Sequence, residues 1–132
     1  MVDWLPTLDA GLRHVHSWIN GGKPAPSMPP IAMSGERPTI ICDAHGNAQG
    51  GVRLPEREVP VAQYGAGGGA NLLGQTDPFS SEEVRRLYPD HATYVARVRR
   101  AAEAALQSGV IPPDRAASYI ADARASGIPP AP

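Results

Sequence analysis

The sequence predicts a mixed α and β chain, mostly helix and coil with one short β-hairpin. Three observations carry that reading. Apolar residues recur at helical spacing near the N-terminus and again beyond residue 80. Between them lies a stretch rich in Pro and Gly with no period at all. Within that stretch one short β-branched run is followed by a turn signature.

The first helix is read over residues 7–20. Leu8, Leu12, Val15 and Ile19 form one apolar stripe, Pro6 suits the first turn, and Gly21-Gly22 supply the stop. His14 and His16 sit two positions apart, on well-separated sides of that helix, and so do not grip one metal together. Residues 21–38 read as extended coil over a surface. "TIICD" (39–43) is a strand, with "DAHGN" after it as a turn in which Gly46 and Asn47 take positive φ. A hairpin into 48–54 follows.

"GGVRLPEREVPVAQYG" (50–65) is read by parity. Val52 and Leu54 share one parity and Val59 and Val61 the other, so a continuous strand would send the pairs to opposite faces. The chain therefore bends at Pro55-Glu56-Arg57-Glu58. Two prolines remove amide donors and confine the segment to an edge or a coil. Beyond it, Ser80 and Glu83 form a capping box for a helix to about Tyr88. Asp90 caps a longer one to about Ser108, with Tyr94, Val95, Val98, Ala102, Ala105 and Leu106 on one face. Pro112-Pro113-Asp114 open a third helix, and Gly127 and Pro129 end it.

Composition narrows the function classes. Leu, Ile, Val and Phe make 25 of 132 residues, with 15 Pro and 14 Gly, so core-forming area is thin for the length. One natural reading is that the chain packs against something larger. A net charge of −1 argues against non-specific binding to nucleic acid or an acidic membrane. The lone Cys42 rules out an internal disulfide. No signal peptide or membrane span is read in the chain, and localisation stays open.

Candidate chemistry is sparse. Gly65-x-Gly67-x-x-Ala70 resembles a dinucleotide fingerprint and Gly69-x4-Gly74-Gln75-Thr76 a P-loop. The first lacks a helix opening on its glycines, and the second has Gln75 where the phosphate-binding lysine belongs. A flexible or closely packed loop is the plainer reading of 65–78. No G-x-S-x-G or H-E-x-x-H occurs. Cys42 and His45 could pair as nucleophile and base, against a buried strand cysteine preceding a turn histidine. The Arg97, Arg99 and Arg100 cluster is offset by Glu82, Glu83 and Glu103, as on a solvated helix face. Arg53, beside Gly50-Gly51, either forks to a ligand carboxylate, or pairs locally with Glu56 or Glu58, or braces two segments.

"DAHGNAQGGVRLPEREVPVAQY" resembles the C-terminal region of the bacterial alpha/beta hydrolase domain family, through Gly46, Asn47, Ala48, Gly50, Gly51, Val52, Arg53, Pro55, Val59, Pro60 and Ala62. "LLGQTDPF" and "LYPDHATYVARV" are similar to the family's next two signatures, and "LDAGLRHVHSWINGGKPAP" to the helix leading in. The resemblance implies three parts: 1–22 as the last core helix of an α/β hydrolase, 23–79 as a Pro/Gly-rich extension with a short hairpin, and 80–128 as a C-terminal helical segment. It implies esterase-like serine-hydrolase chemistry whose elbow serine, acid and base histidine lie upstream, so no catalytic residue is carried onto this chain. Arg53, Tyr64 and Asn71 stand as substrate-lining or bracing positions.

The expected role is structural or pocket-capping, in a C-terminal fragment or subunit inactive alone, with no cofactor and no metal. Its partner would be the missing N-terminal hydrolase core or another protein chain. The alternative is a free-standing helical protein-interaction module.

Overall fold

A computed structural model describes residues 2–65 and 74–131. The elements run α1 (Leu5–Ile19), β1 (Met33–Ser34), β2 (Thr39–Ile40), α2 (Pro55–Glu58), β3 (Ala62–Gly65), β4 (Gln75–Pro78), α3 (Ser81–Leu87), α4 (His91–Gln107) and α5 (Pro113–Ala125). The described residues thus form a mixed α and β fold dominated by helix and coil, with two small antiparallel strand pairs.

Helix ends follow their caps. The Ser80 hydroxyl accepts from the Glu83 amide at 3.1 Å, and Asp90 Oδ1 accepts from the Thr93 amide at 2.6 Å. Both satisfy amides that lack a partner within the helix. The bonds donated by the Thr93 amide and hydroxyl hold the Asp90 carboxyl below its ordinary range. Pro residues stand in the first turn of α1, α2 and α5, where the missing donor costs nothing.

The core is built on α4. Its Ala102 and Ala105 pack with Leu54, Val110, Ile111 and Ala116 in one cluster. Val98 and Ala101 pack with Val59, Val84, Tyr88 and Ala123 in a second. Alanines at these positions let α5 approach α4 closely, which is why so Ala-rich a pair still excludes water. Tyr119 of α5 touches both clusters. The parity break now has a form: α2 is a single helical turn. It sends Leu54 into the first cluster and Val59 into the second.

Four sequence expectations are corrected. Residues 21–38 are not coil throughout, because β1 pairs with β2 in the register Met33↔Ile40 and Ser34↔Thr39. The 39–43 strand is shorter than read, and the hairpin beyond it narrows to a Cys42↔Ala48 bridge plus an Ile31↔Gly50 bridge. The run 65–78 is not all loop, since β3 and β4 pair from Ala62↔Pro78 to Gly65↔Gln75. In the "DAHGN" turn only Gly46 takes positive φ, at 75°; Asn47 does not, because its side chain is drawn inward to bond β3.

The α1 stripe behaves unlike the others. Pro6 and Ala10 are buried, whereas Leu8, Leu12, Val15 and Ile19 all face solvent. The helix is tied on by polar contacts instead: His14 Nε2 lies 2.7 Å from the Gly109 carbonyl, and Arg13 lies 3.8 Å from Asp114.

Candidate functional site

The segment 47–64 gathers the polar groups that the sequence singled out. Asn47 is fully buried and bridges the turn to β3. Its Oδ1 accepts from the Tyr64 amide at 2.8 Å, and its Nδ2 donates to the Ala62 carbonyl at 3.3 Å. The turn around it is formed by Asp43, whose Oδ1 accepts from the amides of His45 and Asn47, each at 2.9 Å.

Gly50 makes the next close approach. It adopts φ 74°, and any Cβ there would strike the Pro30 carbonyl oxygen. Beside it, Arg53 Nη1 donates to the Ala48 carbonyl at 3.0 Å and Nε donates to Glu58. Arg57 Nη2 reaches the same Ala48 carbonyl at 3.0 Å. Two guanidinium groups therefore pin the hairpin to the helical turn α2, one ahead of it and one within it.

The other face of α2 carries a buried carboxyl. The Tyr119 hydroxyl donates to Glu56 Oε1 at 3.0 Å, while Oε2 is buried with no hydrogen-bond partner among the described residues. Burial pushes the Glu56 carboxyl above its ordinary range, against the opposing effect of its hydrogen bonds. Tyr64 lines the same cavity of about 300 Å³, together with Tyr94 and Tyr119. Burial, and then the nearby Glu56, push the Tyr64 phenol up. Tyr88 is buried deeper on α3's C-terminal side, and its hydroxyl donates to the Pro60 carbonyl at 2.8 Å. Asn71, with the glycines and Ala70 at 67–70, lies outside the described residues, so neither nucleotide-motif match can be placed.

On the opposite side of α2 a larger cavity, about 590 Å³, opens between α4 and the 28–29 and 51–59 segments. Arg53 and Glu58 stand at its edge. A site of that size was not legible from the sequence, because its two walls are far apart along the chain.

His14, His45 and His91 engage backbone or acid groups. His91 lies 2.7 Å from the Ile128 carbonyl, and His45 lies 4.0 Å from Glu83 with its ring against Phe79. Among the described residues no imidazole is hydrogen-bonded to a serine, threonine or cysteine. Cys42 is exposed rather than buried, since the narrow hairpin that carries it lies uncovered at the surface. Among the described residues no three His, Cys, Asp or Glu gather as a metal site, and no helix is long and apolar enough to cross a membrane.

The arrangement is one of positioning. Amide, guanidinium and phenol groups lock α2 and its flanking turns, and the acid on α2 is hydrogen-bonded to a tyrosine. No curated protein and no solved structure gives a significant match to the chain. A family model described as "Alpha/beta hydrolase domain" does match, over residues 1–121, which takes in α1, the whole braced segment and most of α5. The chain belongs to the alpha/beta hydrolase domain family.

Proposed function

We propose that this chain acts as the C-terminal region of an esterase-like α/β hydrolase, closing the hydrolase core and walling its pocket without supplying the catalytic triad. One observation carries the reading. Helix α1 turns Leu8, Leu12, Val15 and Ile19 to solvent, flanked by Trp4 and Trp18. A contiguous apolar face of that kind marks an interface, and the family's core is the partner of matching chemistry. The braced turn at 47–64 then serves as a rigid wall, with Arg53 and Tyr64 as its polar positions. Asn71 keeps the same proposed role.

The test is an ester assay on the purified chain with an activated aryl ester. No turnover above the buffer rate is expected. Sustained turnover abolished by a serine-reactive phosphonate would overturn the proposal, because it would place the nucleophile in this chain.

A further inference from the structure

We propose that the 590 Å³ cavity beside α4 is a binding site for a small amphipathic carboxylate, an acid with a short alkyl or aryl chain. This assignment concerns a different face from α1 and stands whether or not α1 docks a hydrolase core.

The cavity has two chemically distinct parts. Its floor is apolar: Met28, Pro29, Val59, Ala101, Ala104 and Ala105 line it. The α4 residues that line this floor are all alanines, and their small side chains leave the space. Its edge is cationic: Arg53, Arg97 and Arg100 are there, against a single acid, Glu58. Glu58 is committed to Arg53. Arg97 and Arg100 form no ion pair among the described residues, and they lie three apart on α4, hence on one side of it. Arg97 is also held in place, with its guanidinium 5.5 Å above the Tyr88 ring centre.

An apolar floor with two guanidinium groups at the rim that have no acid partner among the described residues selects a ligand with both features. Arginine forks match a carboxylate's two oxygens, and the volume lies within the ordinary range for small-molecule sites. A purely apolar ligand would leave the guanidinium groups unused. A simple anion would leave the floor wet.

The experiment titrates the full chain, labelled with ¹⁵N, with octanoate, octan-1-ol and acetate. Octanoate is expected to shift the amides of Ala101, Ala104 and Ala105, and to bind at least about tenfold more tightly than either comparator. The double variant Arg97→Gln/Arg100→Gln sits on exposed helix positions and keeps helix propensity, so it should fold and weaken octanoate about tenfold or more. Ala104→Trp, also at an exposed position, should block the floor and abolish the shifts.

Octan-1-ol binding as tightly as octanoate would overturn the assignment, as would octanoate affinity unchanged in the arginine variant. Shifts confined to another face, or no binding, would do the same. An acidic peptide that displaces octanoate and binds more tightly would reassign the cavity to a protein segment.

Discussion

The two halves of the molecule use apolar residues in opposite ways. Among the described residues, the buried apolar side chains lie at or beyond Leu54, apart from Pro6 and Ala10 and the partly covered Val2 and Met28. Among the described residues, the large apolar side chains that face solvent all lie at or before Val52. Ile111 is 2% exposed, whereas Ile19 is 73% exposed. An apolar stripe thus records a face to be covered, without recording what covers it. On α4 the cover is α5 and α2. On α1 it is the proposed hydrolase core.

Truncating one isoleucine in each half should have very different costs. Ile111→Ala should cost about 2–5 kcal/mol, because it opens a cavity where neighbours cannot fully collapse. Ile19→Ala should change stability by less than about 0.5 kcal/mol. Urea denaturation of both variants measures the contrast, and similar costs would mean that α1 is packed after all.

Asn47→Ala probes the join between the halves. It leaves the Tyr64 amide and the Ala62 carbonyl without their partner in a buried place, at a cost of about 1–3 kcal/mol. Hydrogen exchange should rise at Tyr64 while α4 stays protected. Gly50→Ala should cost about 1–2 kcal/mol or more, since it combines an unfavourable positive φ with a clash against Pro30. A melting temperature equal to the parent's would show that the 30–50 contact is dispensable.

The smallest effect concerns Glu56 and its pH dependence. Its carboxyl is raised in the folded chain, so the folded state binds the proton more readily than the unfolded state does. Its contribution to stability therefore falls as pH climbs from the ordinary carboxylate value through the raised one. Glu56→Gln should flatten that decline, and the variant's advantage should shrink below the ordinary carboxylate pKa. An unchanged pH profile would place the carboxyl in solvent.

What was legible in the sequence was local. Ser80 with Glu83, Asp90 with its following turn, and Pro112-Pro113 mark helix starts through contacts within a few residues. The parity break at 52–61 likewise announced the bend. What was not legible depends on distant partners. β4 is made of Gln75–Pro78, with no β-branched residue but Thr76, and it forms a strand only because β3 offers it a ladder. Asn47 reads as a turn residue until Ala62 and Tyr64 arrive beneath it. The cavity beside α4 joins residues 28–29 to residues 97–108, a juxtaposition no spacing rule reveals. The outward turn of the α1 stripe is the same kind of fact, since periodicity fixes the width of a face and not its direction.

The claim that α1 is a docking face is tested most directly by association with a hydrolase core of the same family, truncated to lack the region matching this chain. Saturable binding to the parent chain is expected, with at least about tenfold weaker binding to Leu12→Glu/Ile19→Glu, whose own stability is unchanged. Equal binding by the parent and the double variant, or no binding by either, would contradict it.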